Sequence, residues 1–198
     1  MFFRSSIERY AKGLSSASPR GRVYGRGVML TFRIGEKVVY PNHGVGTIEQ
    51  ISTRSLGGAA ERFYLLRING SSLTVMVPFG NVESVGLRKI IKHAEAERIL
   101  VYLSNGHCET PADWKWRFKE NSEKMRTGSL LQVAEVMKSL LKLAGDKPLS
   151  FREKKMLDRA RHLLVSELAT VKNLNGQQVE QLIDRSLAKS KLRLPELD

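Results

Sequence analysis

The sequence is poor in cysteine, in acidic residues and in long apolar runs. Its one cysteine, Cys108, rules out an intramolecular disulfide and every site built from several cysteines, which indicates a reducing cytoplasm. No apolar run approaches the roughly 20 residues that span a bilayer, so a membrane-embedded protein is excluded. Only 20 acidic residues face 33 lysines and arginines, and the 198-residue chain carries a formal charge of +13. This surplus favours a polyanionic partner.

The charge is spread unevenly over three regions of different texture. Residues 1–28 hold six basic residues and one acid, 29–88 hold six and four, and 89–198 hold 21 and 15. We predict a basic extension, a small β domain and a helical domain, with these boundaries. The extension lacks the apolar block of a secretory signal. It suits a disordered arm that contacts phosphates, a transit peptide, or residues upstream of a true start at Met29.

Residues 32–84 contain short apolar runs broken by Gly, Asn and Pro, a texture typical of strands and turns. We predict four successive strands, at 38–40, 45–51, 63–68 and 73–77. Three turn-forming segments connect them: PNHG at 41–44, SLGG at 55–58 and the hairpin pair Asn69-Gly70. Four or five strands in so short a stretch are too few for an ordinary sandwich. They can curl into a small SH3-like or Tudor-like barrel, which usually serves as a docking module.

From about residue 89 the apolar residues recur with a helical period, which predicts a compact all-α domain of four or five helices. After a short helix at 95–103, Thr110 as N-cap predicts a helix that begins at Pro111. An apolar stripe over 130–141 predicts a helix that ends near Gly145. Capping residues start the last two helices: Ser150 with Glu153, and Asn175 with Gln178. The predicted fold class is therefore α+β, with the small β barrel first and the helical domain second.

No arrangement of residues points to an enzyme. The four histidines show no metal-binding spacing such as HExxH, and Cys108 beside His107 is by default a solvent-exposed loop pair. Gly44 and Gly46 are not followed by the GK[ST] of a phosphate loop and serve a tight strand connection instead. We expect no catalytic residue, no metal and no cofactor.

Aromatic and basic residues alternate in PADWKWRFK at 111–119, a texture typical of nucleic-acid-binding segments. On a helix, Trp114 lies on the same side as Arg117, and Trp116 points nearly the opposite way. One tryptophan can therefore be core and the other exposed. An exposed Trp114 beside Arg117 and Lys119 would wedge against a base step while the cations neutralise phosphates. The alternative is that both indoles are packed between helices.

The helix after Ser150 offers a second basic face, with five cations against Glu153 and Asp158. These cations are Arg152, Lys154, Lys155, Arg159 and Arg161. They suit phosphate contacts, and they equally suit a solvated surface opposite an apolar stripe.

Several motifs follow one another in a characteristic order along both halves of the chain. They are FRIGEKVVYPNHG at 32–44, LTVMVP at 73–78, a turn at 81–88, WKWRFKEN at 114–121, VAEV at 133–136 and the helix at 149–168. In this order and spacing they resemble the CarD/CdnL family of bacterial transcription regulators. The resemblance covers about residues 29–190, and the 1–28 segment has no counterpart in it.

For the N-terminal half, the resemblance implies a Tudor-like domain that docks on the RNA polymerase β subunit, similar to the polymerase-interacting domain of transcription-repair coupling factors. Arg54 matches a family arginine that contacts polymerase. Met76 stands where relatives can present another arginine, so that contact is lost, weakened or made by a neighbour such as Arg67.

For the C-terminal half, the resemblance implies a helical domain that contacts promoter DNA at the upstream edge of the melted bubble and stabilises the open complex without strong sequence specificity. Trp114 matches the family's wedging tryptophan, and Arg117 and Lys119 match basic positions on the DNA face. Trp116 stands where a basic residue is common. Three cations of the second basic face complete the predicted DNA contacts: Lys154, Lys155 and Arg159.

These observations together predict a cytoplasmic, nucleoid-associated transcription regulator. We expect a monomer that binds polymerase and promoter DNA, and that binds neither a membrane nor a small-molecule ligand. Two alternatives stay open. One is a free-standing nucleoid-type DNA-binding protein, and the other is a protein–protein adaptor whose helices are only a packing scaffold.

Overall fold

The structure, a computed structural model, describes residues 31–56, 59–108 and 113–195. Within these ranges an antiparallel sheet precedes a set of helices. The strands are β1 (Lys37–Tyr40), β2 (Gly44–Leu56), β3 (Ala59–Ile68), β4 (Thr74–Pro78) and β5 (Arg88–Lys89), with a short 3-10 turn at Phe79–Asn81. The helices are α1 (His93–Asn105), α2 (Trp114–Arg126), α3 (Leu130–Asp146), α4 (Phe151–Lys172) and α5 (Gly176–Ala188). The predicted 1–28 extension and Met29 lie outside the described residues.

The sheet has the strand order β4-β3-β2-β1-β5. Strands β2 and β3 form a hairpin longer than predicted, because polar pairs such as Thr53 and Arg62 continue the ladder beyond the apolar runs. A shift in register between Ile48 and Gln50 marks a bulge, which bends the strand. Alternate side chains of the strands, such as Ile48 and Leu66, point into the core of the β domain. This confirms the predicted Tudor-like domain followed by helices.

One predicted turn of the sheet is confirmed, and one strand was not predicted. The hairpin predicted at Asn69-Gly70 is present, and Gly70 has a φ of +73°, the left-handed region that favours glycine. Strand β5 was not predicted. It holds only Arg88 and Lys89, which pair with Val39 and Val38 of β1, and two residues are too few to show a periodicity.

The helices bury their apolar stripes in one core. Leu140 of α3, Leu164 and Leu168 of α4 and Ile183 of α5 are fully buried in it. The two predicted helix starts are confirmed as reciprocal capping boxes. In α4, Glu153 Oε2 accepts the Ser150 N–H at 2.9 Å, and α5 begins in the same way, with Asn175 and Gln178.

The start of α2 differs from the prediction. Asp113 has extended dihedral angles, and its carboxylate accepts the backbone N–H of Trp116 at 2.7 Å, so Asp113 is the N-cap and the helix begins at Trp114 rather than at Pro111. An acidic N-cap both satisfies a free N–H group and suits the positive end of the helix dipole. The predicted cap, Thr110, lies outside the described residues.

Hydrogen bonds from the sheet to α4 connect the β domain with the helices. Arg88 of β5 donates to both carboxylate oxygens of Glu167, at 2.7 and 2.8 Å, and Glu167 is only 2% exposed. Arg88 also donates to the carbonyl of Gly128 at 2.7 Å, between α2 and α3. Gly44 at the start of β2 has a φ of +96°, which favours glycine, and the next residue, Val45, donates its N–H to Ser166 Oγ of α4 at 3.4 Å. None of the described helices is long and apolar enough to cross a bilayer.

Candidate nucleic-acid interface

The first turn of α2 presents both tryptophans to solvent. Trp114 is 59% exposed and Trp116 is 60% exposed. This corrects two expectations, because neither indole is core and the two are not packed between helices. The helix buries Arg117, Asn121 and Met125, which are spaced by four residues, and the tryptophans lie off that face.

Each tryptophan has a lysine ammonium near its ring. Lys115 Nζ lies 5.7 Å from the centroid of the Trp114 ring, and Lys119 Nζ lies 5.9 Å from that of Trp116. Cation–π attraction at this range orients the lysines over the indoles. The start of α2 therefore combines two exposed apolar rings with two positive charges, beside the partial positive charge of the helix N-terminus.

Arg117, predicted to contact phosphate, lies in the interior and is 2% exposed. Its Nη2 and Nε atoms donate to Glu153 Oε1 at 3.0 and 3.3 Å. Burial raises the pKa of Glu153, but hydrogen bonds from Ser150 and the Arg117 guanidinium outweigh it and hold that pKa below its usual range. We therefore assign Arg117 to holding α2 against the start of α4, and only Lys119 of this predicted pair reaches solvent.

The basic face of α4 is open to solvent. Its exposed cations are Arg152, Lys154, Lys155 and Arg159. Among the residues that the structure describes, no carboxylate forms an ion pair with any of these four. Arg161 differs, because its Nε donates to Glu180 at 2.9 Å and its side chain is mostly covered. Cations without a carboxylate partner keep their full attraction for a polyanion.

An apolar groove of about 460 Å³ separates α2 from α4. Its apolar lining is Phe118, Met125, Phe151 and Met156, and its basic lining is Arg126, Arg152, Lys155 and Arg159. Phe151 is 75% exposed, with Lys155 Nζ 5.6 Å from its ring. The sequence pattern does not predict this groove, because it forms only where α2 and α4 pack together. The one sign of the groove in the sequence is Phe151, an aromatic residue directly after the Ser150 cap. An aromatic side chain is not needed at that position for an amphipathic helix.

The three predicted polymerase contacts lie on one side of the sheet, which we call the outer face. Arg54 pairs across the strands with Glu61, Met76 with Leu65, and Arg67 with Thr74. Side chains alternate along a strand, so Glu61, Leu65 and Arg67 of β3 point away from the core residues Tyr64 and Leu66.

The outer face combines charged, polar and apolar side chains. Arg54 is exposed, Met76 is half-buried beside Leu65, and Arg67 forms an exposed ion pair with Glu49. The polar and apolar groups are interleaved, and the cations have acidic neighbours. Such a surface suits a protein partner better than a phosphate backbone.

The loop pair His107 and Cys108 lies at the end of α1. His107 is exposed, Cys108 is half-buried, and Lys142 Nζ donates to the carbonyl of Cys108 at 3.2 Å. In the described part of the chain, no group of three or more His, Cys, Asp or Glu side chains is placed to hold a metal ion.

The fold and its surfaces define a two-part binding protein, with a small β domain that presents one outer face and a helical domain with a basic, aromatic-bearing surface. Residues 32–91 match the family described as CarD-like/TRCF RID domain, and residues 98–184 match the one described as CarD, C-terminal domain. The chain belongs to the CarD/CdnL family of transcription regulators, which confirms the family indicated by the sequence motifs.

The chain is similar to one curated protein and to one solved structure. The chain is 34% identical over 149 residues to "Putative transcription factor YdeB" of Bacillus subtilis (strain 168), and the alignment covers 75% of this chain and 97% of that protein. It is 39% identical to the solved structure "CdnLNt from Myxoccoccus xanthus", over 34% of this chain and 94% of that one, with a TM-score of 0.28.

Proposed function

We propose that this protein regulates transcription initiation by binding RNA polymerase and promoter DNA at the same time. The outer face of the sheet docks on the polymerase β subunit. The surface formed by the first turn of α2 and the basic face of α4 contacts DNA at the upstream edge of the melted bubble. The complex stabilises the open promoter without strong sequence specificity.

The observation that carries this proposal is the exposure of Trp114. An indole that is 59% exposed on the first turn of a helix gains little for folding, and it is placed to wedge against a base step. Lys115 above its ring supplies a charge for the flanking phosphate. The matching family position supports the same role.

Further cations extend the proposed DNA contact away from Trp114. Lys119 lies on α2, and Lys154, Lys155 and Arg159 lie on the basic face of α4. None of them reads a base in this proposal, since contacts to phosphates position a protein on DNA without sequence information. The ion pair between Arg117 and Glu153 fixes α2 against α4. In this proposal, Lys119 and the cations of α4 therefore contact the same DNA.

Polymerase docking rests on the match of residues 32–91 and on the placement of three residues on one face. In this proposal Arg54 makes the polar contact. Met76 contributes an apolar contact where relatives present an arginine, and Arg67 supplies the positive charge nearby.

No catalysis is needed for this mechanism. A protein that binds the open promoter complex more tightly than the closed one shifts melting by its differential affinity alone. A preference of roughly 1.4 kcal/mol changes the equilibrium about tenfold.

The test measures the lifetime of the open complex on a ribosomal-type promoter with purified bacterial RNA polymerase. The wild-type chain should lengthen that lifetime, and Trp114→Ala should lose the gain while it still binds polymerase. The matched control is Val101→Ala, which removes another apolar side chain that is 59% exposed, on α1. An unchanged lifetime with Trp114→Ala would reject the wedge.

The same reagents separate the alternatives. Reversing the charge of Arg54 should abolish capture by polymerase and leave DNA affinity unchanged. If the wild-type chain binds DNA but neither binds polymerase nor alters the lifetime, a nucleoid-type DNA-binding protein is the better description. If it binds polymerase and has no salt-dependent affinity for DNA, an adaptor is the better description.

A further inference from the structure

A second pocket, which we call the junction pocket, lies where the sheet meets α4. It has a volume of about 230 Å³. The turn between β1 and β2 contributes His43, the turn between β3 and β4 contributes Asn69 and Ser71, and α4 contributes Arg159 and His162. Three separate segments therefore bring hydrogen-bond donors to one small cavity.

The junction pocket has no acidic lining residue. Arg159 is permanently charged, and the hydroxyl of Ser71 accepts the Leu73 N–H at 3.2 Å and keeps its own hydrogen for donation. Imidazoles donate from both nitrogens once they are protonated. A cavity that has a guanidinium, several hydrogen-bond donors and no carboxylate in its lining is complementary to an anion.

The two imidazoles respond to the same charge. Burial, and then the nearby Arg159 guanidinium, lower the pKa of both His43 and His162. The lining residues from the two sheet turns add no charged group besides His43. The carboxylate one turn before His162, Asp158, is exposed and does not line the pocket. An anion in the pocket would raise the pKa of both rings, because it favours their protonated forms.

We propose that the junction pocket binds a phosphate group, held by the guanidinium of Arg159, the hydroxyl of Ser71 and the protonated rings of His43 and His162. An arginine fork fits two oxygens of a phosphate at once, which makes Arg159 the central residue. The junction pocket is separate from the tryptophan wedge. Phosphate binding there can therefore be tested without promoter melting and without polymerase.

The position of the junction pocket indicates two sources for the phosphate. Arg152, Lys155, Arg159 and His162 are spaced by three, four and three residues and therefore form one stripe along α4. Arg159 also lines the groove between α2 and α4, so this stripe leads from the groove to the pocket. One source is a backbone phosphate of DNA that follows this stripe, and the other is a free or small-molecule phosphate.

The test follows the histidine ring resonances of the full chain by NMR while inorganic phosphate is added at constant ionic strength. Sulfate is the parallel probe, because its charge does not change between pH 5 and 8. We expect saturable shifts at His43 and His162, with their titration midpoints moved to higher pH. His93 is the internal control, since it is exposed on α1 outside the pocket. Affinity for sulfate should increase as the pH falls through the range in which the two rings protonate.

Two matched variants locate the site. Arg159→Gln should weaken phosphate binding roughly tenfold or more, the loss typical of a charge-assisted hydrogen bond. Arg98→Gln removes the same charge from an exposed position on α1, outside the pocket and outside the proposed DNA surface, and should bind phosphate as the wild type does. Shifts that do not saturate, that appear equally at His93, or that persist in Arg159→Gln would overturn the proposal and mean an adventitious ion only.

A short DNA duplex distinguishes the two sources. If the duplex reproduces the shifts at His43 and His162 and inorganic phosphate competes with it, the pocket takes a backbone phosphate. If inorganic phosphate binds and the duplex leaves both rings unchanged, the pocket takes a free or small-molecule phosphate. Both results support the site. Shifts that do not saturate, that are equal at His93, or that persist in Arg159→Gln reject it.

Discussion

The outer face of the sheet and the basic face of α4 both carry exposed cations, but they differ in how those cations are compensated. On the sheet, Arg67 pairs with Glu49 and Lys89 pairs with Glu36, whereas Lys37 and Arg54 are exposed and form no ion pair within the described residues. On α4, the four exposed cations have no carboxylate partner among the residues that the structure describes. The cations of the sheet are thus partly paired, whereas those of α4 form an unpaired cluster, and this difference favours α4 as the surface for a polyanion.

The two domains also differ in where their aromatic residues lie. In the β domain, Tyr64 is buried, stacks on Phe79 at 4.0 Å between centroids and meets Phe32 edge-on at 5.6 Å. In the helical domain, Trp114 and Trp116 are exposed. Aromatic rings thus build the core of one region and the surface of the other. Four predictions test this contrast, in order of the expected size of the effect.

The largest effect is expected at the connection between the two regions. Arg88→Ala leaves the carboxylate of Glu167 buried without its guanidinium, which should lower the free energy of unfolding by about 3 kcal/mol. Urea denaturation measures this change. Arg67→Ala, which breaks an exposed ion pair on the outer face, should leave the midpoint nearly unchanged. Equal losses in both variants would mean that the Arg88 pair does not act as a buried anchor.

A smaller loss is expected where α2 meets α4. Glu153→Gln removes the charge that faces buried Arg117 and should lower the free energy of unfolding by about 2 kcal/mol at neutral pH. Because the folded pKa of Glu153 lies below its ordinary value, its contribution is present above that ordinary value and is lost as the pH falls through the folded pKa.

The difference between wild type and Glu153→Gln should therefore shrink in acid, below about pH 4.5, where the ordinary carboxyl titrates. Urea denaturation at a series of pH values measures it. Glu123→Gln is the control, because Glu123 forms only an exposed pair with Arg126. A difference that stays constant down to the lowest pH would contradict the assignment.

The third prediction concerns the uncompensated cations. Lys155→Gln should make the slope of log affinity for duplex DNA against log salt less steep by about one, because one fewer counterion is released. Arg67→Gln removes an equal charge from the outer face and should not change the slope. If both variants change it alike, the two faces do not divide their roles as proposed.

The smallest effect is expected for the exposed indoles. Trp114→Ala and Trp116→Ala should each change the free energy of unfolding by less than about 1 kcal/mol, because more than half of each side chain is already in water. Tyr64→Ala, in the core of the β domain, should cost about 3 kcal/mol or more. Thermal and urea unfolding of the three variants compare them. A large loss from either tryptophan variant would show that the indole supports the fold.

Local patterns predicted most of the elements correctly. The helix starts at Ser150 and Asn175 and the hairpin at Asn69-Gly70 were predicted because the residues that form them are three positions apart or fewer. Strand β5 was missed because two residues carry no pattern. The start of α2 was misplaced because two polar residues, Thr110 and Asp113, were both suitable as N-caps.

The site was predicted less completely than the fold. The periodicity of α2 showed which residues share a side, but it did not show which side meets the core. Arg117 was therefore predicted to contact DNA, and the structure places it against Glu153, 36 residues away. Phe151 and the groove beside it were missed because the groove forms only where α2 and α4 pack together.

The sequence by itself determined the kind of protein: its motifs indicate the family, its periodicities indicate strands before helices, and its charge indicates a polyanionic partner. Only the tertiary structure decided which cations remain available to that partner. Arg88 binds Glu167 across 79 residues, and Arg159 lines the same pocket as His43, which lies in a different region of the chain. Secondary structure depends on neighbours within a few positions, whereas pairing and burial depend on contacts between distant segments, and these exist only once the chain has folded.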